Sequence, residues 1–460
     1  MTSDHLFDGD FAWGISSSAA QTEGYAVQDG RGPSIWDHFT EKRKYLLKRN
    51  TPAIACGFYR HYWEDIALIH AMGIPNFRFS LSWSRLMPEG KGRVNEAGIE
   101  FYHRVIDVCL QKGITPWITL YHWDLPQALE DKGGWTNRDM LTWFEDYVSL
   151  CLKSYGDKVK NWMVLNEPMV FTGAGYFLGV HAPGRRSKNA FLASMHHAAL
   201  CQGIGIRTIK AMWPDAQAGS TFSCSYISPH THAEKDRAAS KRVDAMLNGL
   251  FIEAAGPGGY PFEDLPFLQR LERFWKQGDE KLLRADLDFA GIQVYTREVV
   301  RHSRYMPFIR ARLVPAPKRK VYHTEMDWEV YPECMYQMIR KFNGYSHVGK
   351  IIITENGAAF SDRCVDGVVH DPERIHYLEQ HILQAARAKA DGYKVDGYFA
   401  WSLTDNFEWA EGYSKRFGLV YVDYETQRRI VKQSGHWYAD WLRTGYRRAG
   451  RQEKNTIPQS

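Results

Sequence analysis

Eight short apolar stretches, separated by segments with helical spacing, constrain the fold of this 460-residue chain more than any other feature. Tyr62, Ile66 and Ile69 repeat at helical spacing, Gly73 ends that helix, and an alternating strand follows. The same order of helix, glycine, apolar strand and polar tip returns later, as in repeated β-α units. The candidate strands are Phe11–Gly14, Asn76–Trp83, Ile114–Tyr121, Trp162–Asn166, Ala218–Phe222, Phe289–Val294, Lys350–Thr354 and Gly397–Leu403.

Eight parallel strands with helices between them close into a (β/α)8 barrel, which belongs to the α/β class. The spacing between strands is uneven, so long loops are expected on one face of the barrel. We find no low-complexity linker that would split the chain. The sequence therefore predicts a single TIM-barrel domain over residues 1–446, followed by a polar and basic C-terminal tail over residues 447–460.

Two of the apolar stretches end on a carboxylate. Ile351–Gly357 reaches Glu355 and then the turn signal Asn-Gly, and Trp162–Pro168 reaches Glu167 just before a proline. Parallel-strand folds bind their ligands at the carboxyl ends of the strands. One such Glu is more often a helix cap or an ion-pair partner than a catalyst, but two indicate paired carboxylate chemistry.

Composition excludes several classes of protein. Fifty-eight basic and 53 acidic residues give a net charge of only +5, which argues against a nucleic-acid or membrane-surface partner. No run of 18 apolar residues occurs, and the first 20 residues do not resemble a signal peptide. The seven cysteines are odd in number and lack a Cys-x-x-Cys pair, which predicts free, buried thiols and a cytoplasmic location.

Metal and cofactor motifs are also missing from the sequence. It contains no His-Glu-x-x-His and no Gly-x-x-x-x-Gly-Lys, and the glycines at 173, 175 and 179 do not have dinucleotide-binding spacing. We therefore expect neither a metal nor a cofactor. Sixteen tryptophans and 25 tyrosines instead favour a cleft that stacks on the faces of sugars.

The motifs around the strand ends, taken together and in order, resemble those of glycoside hydrolase family one, the β-glucosidase and β-galactosidase family. The resemblance covers about residues 11–442. It rests on Phe11–Gly14 with Gln21–Gly24, Phe79–Arg85, His122–Pro126, Asn166–Pro168, Ile353–Gly357 and Trp401–Trp409.

The resemblance implies that Glu355 is the nucleophile and Glu167 the acid/base. Retaining glycosidases hold these carboxyls about 5 to 5.5 Å apart, so we predict net retention. Arg78 would lower the pKa of Glu355, Tyr295 would donate a hydrogen bond to it, and Asn166 would bind the sugar 2-hydroxyl. The further sugar-binding residues implied by similarity are Gln21, His122, Trp123, Trp401, Glu408, Trp409 and Phe417, with Trp328 on the aglycone side.

The implied substrate is a small β-glucoside or an oligosaccharide with a terminal, non-reducing β-D-glucosyl residue. A carboxylate at Glu408 would repel a 6-phosphate, which favours a neutral sugar. Three alternatives stay open: preference for galactosides or fucosides, transfer of the glycosyl group to an alcohol, and a sugar-binding barrel without activity. The sequence leaves the oligomeric state open as well.

Three features depart from the family pattern or have no assigned role. Gln293-Val294-Tyr295 replaces the usual Asn-Tyr-Tyr, so support of the nucleophile is expected to differ. Met169 stands where a tryptophan is common, which gives a softer aglycone wall. Residues 299–320 carry seven Arg or Lys and no acid; we expect a solvated loop on the catalytic rim that could favour anionic aglycones.

Overall fold

A computed structural model of the protein describes residue 7 and residues 9–43, 50–306 and 308–444. The predicted tail over residues 447–460 lies outside the described residues. The strands are β1 Ala12–Ser16, β2 Asn76–Ser80, β3 Thr115–Tyr121, β4 Asn161–Asn166, β5 Gln217–Pro229, β6 Leu287–His302, β7 Ala311–Leu313, β8 Val348–Asn356, β9 Cys364–Val365, β10 Val368–Val369, β11 Val395–Trp401, β12 Val420–Val422 and β13 Arg429–Val431.

Helices connect these strands, and the longest cover the outside of the barrel. They are α1 Ala19–Thr22, α2 Ile35–Lys42, α3 Phe58–Ala71, α4 Trp83–Leu86, α5 Glu96–Gln111, α6 Gln127–Glu130, α7 Met140–Tyr155, α8 Pro168–Thr172, α9 Lys188–Met212, α10 Glu234–Asp244, α11 Leu250–Ala255, α12 Asp279–Leu283, α13 Ala316–Arg319, α14 Glu333–Phe342, α15 Pro372–Ala390 and α16 Gln433–Thr444. Short 3₁₀ or π segments are Gln28–Gly30, Gly134–Thr136, Gly173–Leu178, Ala245–Gly249, Pro266–Arg273 and Trp409–Glu411.

Eight of the strands form a closed parallel barrel. Their order is β5-β4-β3-β2-β1-β11-β8-β6, and parallel pairing of β5 with β6 closes the ring. Each of these strands overlaps one of the eight predicted from the sequence. The (β/α)8 barrel prediction is therefore confirmed.

The interior of the barrel is filled by large side chains from different strands. Trp117, Met163, Phe289, Ile352 and Phe399 form one buried cluster in which the Trp117 ring packs edge-on against both phenylalanine rings. The neighbouring position on β1 has to be glycine, because a Cβ at residue 14 would lie 2.3 Å from the Phe399 ring. The barrel is thus a packed core, and its functional groups are at its ends.

Two strands are longer than predicted. β5 and β6 continue past the barrel and remain paired as far as Pro229 and Val300, and β7 then pairs antiparallel with the end of β6. The prediction of a loop over residues 299–320 is therefore wrong, because this segment contains the end of β6, β7 and α13, and Val300 and Ala311 are buried. The expected solvent exposure holds for six of its seven Arg and Lys side chains. Its apolar residues pack against α10, which outweighs the effect of its charges.

The sequence also predicts free, buried cysteines and no membrane-spanning segment. All seven cysteines are free, and six of them are buried, whereas Cys364 is half-buried. Within the described ranges, no helix combines the length and the apolar character needed to cross a bilayer.

Candidate active site

A cavity of about 310 Å³ opens at the carboxyl ends of the barrel strands. Every predicted site residue lines this cavity except Arg78, which is fully buried in β2. The predicted residues in its wall are Gln21, His122, Trp123, Asn166, Glu167, Tyr295, Trp328, Glu355, Trp401, Glu408, Trp409 and Phe417.

Both carboxylate oxygens of Glu355 are held by donors from two other barrel strands, β2 and β6. Arg78 forms an ion pair with Oε1. Gln293 Nε2 donates to the same oxygen at 2.7 Å, and the Tyr295 hydroxyl donates to Oε2 at 2.7 Å. Gln293 lies opposite Glu355 in the β6–β8 register, so strand pairing itself sets this contact. These contacts fix the orientation of the carboxylate and favour its ionised form.

Glu167 occupies a tight turn between β4 and α8. Its φ is 46°, in the left-handed region, and its backbone amide donates to the Thr221 carbonyl at 2.9 Å. Pro168 follows as the first residue of α8, where a backbone N–H is not needed. The Glu167 carboxyl is buried in the cavity wall and forms no ion pair with any described residue.

The environments of the two carboxyls differ in charge. Burial, with a further contribution from the Glu355 carboxylate, raises the pKa of Glu167 well above its ordinary value. Burial raises the pKa of Glu355 as well, while the charge of Arg78 and hydrogen bonds from Tyr295 and Arg78 oppose that rise. A proton on this pair therefore resides on Glu167, because the cation contacts Glu355.

Asn166 has its amide orientation set by surrounding donors. Its Oδ1 accepts hydrogen bonds from Arg78, from Gln293 at 2.7 Å and from the Thr221 hydroxyl at 2.9 Å. Asn166 Nδ2 therefore faces His122 Nε2, 3.0 Å away, and donates to it. Burial lowers the pKa of His122 well below its ordinary value, so the ring is neutral. Its proton is then on Nδ1, a buried nitrogen without a hydrogen-bond partner among the described residues.

A second polar group is formed by Gln21, Asn406 and Glu408. Gln21 Nε2 donates to Asn406 Oδ1 at 3.1 Å and to Glu408 Oε2 at 3.3 Å, while the Ser18 hydroxyl donates to Gln21 Oε1 at 2.7 Å. Burial, together with the nearby Glu355 carboxylate, raises the pKa of Glu408 to about 8. This group presents amide and carboxyl atoms to the cavity, as binding of several hydroxyls would require.

Aromatic rings form two parts of the wall. Trp123 and Trp409 are 4.5 Å apart between ring centroids, and the His122 ring lies nearly parallel to that of Trp401 at 6.1 Å. The Trp123 indole N–H donates to the Asn166 carbonyl at 2.8 Å, so only its ring surface is available to a ligand. Elsewhere, Trp328 packs on Tyr295 at 5.2 Å and on Phe417 at 6.1 Å.

Comparison with known proteins identifies the family of this barrel. The model of glycosyl hydrolase family 1 matches residues 3–445, almost the whole chain. The chain belongs to glycosyl hydrolase family 1. The resemblance seen in the sequence is thereby confirmed.

Relatives of this family 1 barrel are similar to it along their whole length. Beta-glucosidase A of Thermotoga maritima is 41% identical over 432 residues, which cover 94% of this chain and 96% of the relative. The 1,4-beta-D-glucan glucohydrolase of Thermotoga neapolitana is 40% identical over 435 residues, 94% of this chain and 97% of the relative. A solved structure of beta-glucosidase from Thermotoga maritima in complex with glucoimidazole has a TM-score of 0.91 at 40% identity and covers 95% of this chain and 98% of that one.

Several residues of the family 1 cavity were not predicted as site residues. Gln293 was noted only as a departure from the family pattern, yet it contacts Glu355 directly. His181 and Glu298 also line the cavity. No motif marks Glu298, because the extension of β6 that carries it was not predicted. The other unpredicted lining residues are Val170, Ser223, Cys224, Ser225, Thr296, Met326, Ala410 and Glu411.

The charge of the cavity wall has one sign. Five glutamates line it, and no Lys or Arg is among the described lining residues. The basic side chains of residues 299–320 therefore do not enter the cavity, and the expectation that they favour anionic aglycones gains no support. No group of three or more His, Cys, Asp or Glu within the described ranges is placed to hold a metal ion.

Proposed function

We propose that this protein is a retaining β-glucosidase that hydrolyses terminal, non-reducing β-D-glucosyl residues through a covalent glycosyl-enzyme. The observation that carries the proposal is the contrast between two carboxyls in one cavity: Glu355 is held by Arg78 and Tyr295, whereas Glu167 is buried without an ion pair. Such a contrast suits one group to nucleophilic attack and the other to proton transfer. Family 1 membership and β-glucosidase relatives support it.

In the first step, ionised Glu355 attacks the anomeric carbon of the glucosyl residue. Glu167 donates its proton to the glycosidic oxygen as the bond between that oxygen and the anomeric carbon breaks. The products are a free alcohol or sugar and a glucosyl ester of Glu355. Arg78, Gln293 and Tyr295 hold the carboxylate in position for this attack.

In the second step, Glu167 is ionised and takes a proton from an incoming water molecule. The water oxygen attacks the anomeric carbon, the ester bond to Glu355 breaks, and β-glucose leaves with its configuration retained. Asn166 is the group we assign to the sugar 2-hydroxyl, whose hydrogen bond strengthens as positive charge develops on the ring.

Recognition of the glucosyl residue is assigned to the rest of the inner wall. Gln21, His122 and Glu408 would bind its hydroxyls. Trp401 would stack on the sugar face, with Phe417 near its C6 group and the rings of Trp123 and Trp409 closing the side. Trp328 would lie on the aglycone side.

We also propose that residues 1–446 form one glycosidase domain and that the protein acts in the cytoplasm. All seven cysteines are unpaired, so no disulfide holds the fold together. Free thiols of this kind are compatible with a reducing compartment. The substrate class is a small β-glucoside or a β-linked oligosaccharide.

The test is release of nitrophenol from β-glucoside, β-galactoside and 6-phospho-β-glucoside substrates by the wild type and by Glu355→Ala, with and without azide. We expect the wild type to prefer the β-glucoside and the variant to be inactive. Azide should restore nitrophenol release and give an α-glucosyl azide, because it attacks from the face that Glu355 occupied.

Glu167→Ala is the matched control variant. It keeps Glu355, so azide should attack the glucosyl-enzyme from the opposite face and give a β-glucosyl azide. Circular dichroism checks that Glu355→Ala folds, since that change leaves Arg78 buried without its partner. A folded wild type that hydrolyses none of the substrates would contradict the proposed function.

A further inference from the structure

Glu298 lies on the outer part of the cavity wall. It follows Tyr295 by three residues in β6, and an extended strand rises about 3.3 Å per residue. Because three residues of β6, from Val294 to Arg297, match only two residues of β5, Glu298 is roughly 7 to 10 Å farther along the strand. Tyr295 contacts Glu355, whereas Glu298 belongs to the part of β6 that continues past the barrel. The Glu298 side chain is therefore placed toward the part of a substrate that leaves.

The Glu298 carboxyl has no hydrogen bond or ion pair with any other described residue, although two arginines are nearby. Arg297 and Arg319 both bind Glu329: Arg297 Nε and Arg319 Nη2 each lie 2.7 Å from Glu329 Oε2. Arg297 Nη2 also donates to Glu329 Oε1 at 2.7 Å. Since Glu329 already binds both guanidinium groups, Glu298 is left with unused acceptor oxygens.

An unpaired, half-buried carboxylate in a cavity wall is costly unless a ligand satisfies it. Burial raises the pKa of Glu298 to about 7, and the Arg319 charge opposes that rise. Folding thus removes part of the hydration of this group. A ligand with hydroxyl donors would replace the missing hydrogen bonds.

We propose that Glu298 binds the leaving group and makes the protein selective for β-glucosides whose leaving group is itself a sugar. Its carboxylate accepts hydrogen bonds from hydroxyls of that second sugar. This inference rests on the proposed function, because it assigns the outer wall of the same cavity.

The charge of the wall is consistent with a neutral polyol as the leaving group. Glu298 and Glu411 both line the cavity, and no described Lys or Arg does, so an anionic leaving group would be repelled. A nitrophenyl group has no hydroxyl to donate, and its ring would contact Trp328 or Met326 instead. Removal of Glu298 should therefore affect the two kinds of leaving group differently.

The experiment compares kcat/KM for a β-linked glucose disaccharide and for 4-nitrophenyl β-glucoside, which share one glucosyl residue. In Glu298→Ala we expect the ratio of disaccharide to nitrophenyl hydrolysis to fall about 10- to 100-fold, the usual range for losing a hydrogen bond to a charged group. Glu298→Gln keeps the volume and one acceptor, so its ratio should fall less. Glu298→Gln also allows the test to be made if the alanine variant is unstable.

Glu234→Ala is the matched control, because Glu234 is an exposed glutamate on α10 whose side chain pairs, among the described residues, only with the nearby Arg237. Its ratio should equal that of the wild type. The assignment of Glu298 would be overturned if the ratio of the two kcat/KM values did not change in Glu298→Ala and Glu298→Gln, even where both values fell equally. The proposed function would then remain intact. Failure of the wild type on both substrates would overturn both.

Discussion

At the scale of single residues, Gln293 links the two groups that the proposed mechanism assigns to the reacting sugar. One amide nitrogen donates to Asn166 Oδ1 and to Glu355 Oε1, each at 2.7 Å. The side chain is fully buried, so water cannot take over these hydrogen bonds. Gln293 therefore orients Glu355, and we expect its hydrogen bond to favour the ionised form of that carboxyl as well.

Gln293→Met removes the donor at nearly constant volume. We expect kcat/KM for nitrophenyl β-glucoside to fall about 10- to 100-fold. The acidic limb of the pH profile should move to higher pH, because a carboxylate that loses a donor binds its proton more tightly. The measurement is kcat/KM from pH 4 to 9.

Gln293→Asn is the comparison variant, since it keeps an amide on a side chain one methylene shorter. It should lie between the wild type and Gln293→Met in both rate and pH profile. If Gln293→Met loses activity without any shift of the acidic limb, Gln293 does not affect the protonation of Glu355.

At the scale of elements, the end of β6 and β7 form an antiparallel ribbon beside α10. In its register Arg301 lies directly opposite Arg312, and both side chains are exposed. Like charges opposite each other destabilise a strand pair by about 0.2 to 1 kcal/mol. The ribbon is held instead by apolar contacts of Val300 and Ala311 with α10.

Arg312→Glu turns this repulsion into attraction. We expect backbone amides of β7 to exchange hydrogen more slowly in the variant at low salt, with a smaller difference at high salt because exposed charges are screened. Lys320→Glu is the control: it makes the same change of charge at an exposed position outside the strand pair. Equal protection in Arg312→Glu and the wild type would contradict the repulsion.

The same elements explain what could be predicted from the sequence. The eight barrel strands were predictable because burial on both faces leaves continuous apolar runs, as at Ile351–Ile353. Glu167 and Glu355 could be found because each follows such a run. Gln293 could not be assigned a contact, because its role depends on the register in which β6 pairs with β8, and that register shifts just before Gln293. Glu298 was missed because the part of β6 beyond Val294, residues 295–302, has neither a continuous apolar run nor a regular alternation of polar and apolar residues.

At the scale of the whole molecule, buried carboxyls make the fold sensitive to pH. Asp124 is fully buried, and its two carboxyl oxygens form no well-aligned hydrogen bond with a described residue, although the nearby Ser82 hydroxyl lowers its pKa somewhat. Burial nevertheless raises the pKa of Asp124 to about 8. The folded protein therefore holds a proton on Asp124 that the unfolded chain loses above about pH 4.

Between about pH 4 and 8, unfolding releases this proton, so Asp124 makes the free energy of unfolding fall as pH rises. One such proton contributes up to about 1.4 kcal/mol per pH unit. In Asp124→Asn this contribution is absent, and the fall of stability with pH should be shallower by up to that amount. Equilibrium urea unfolding at pH 5, 6 and 7 measures the slope.

Asp146→Asn provides the control, because Asp146 is exposed on α7. Its slope should match that of the wild type. A slope in Asp124→Asn as steep as in the wild type would mean that Asp124 is already ionised in the folded protein.

One continuous strand, β6, carries Gln293 and Tyr295 at the reacting centre and Glu298 at the outer wall. Barrel enzymes commonly acquire new substrates by exchange of loops, which leaves the strands untouched. At this rim such a graft would cut a strand that also supports the nucleophile. The selectivity of this enzyme for its leaving group must therefore change by point substitutions in β6, whether in evolution or by engineering. The outer end of β6 is a poor place to insert a foreign loop.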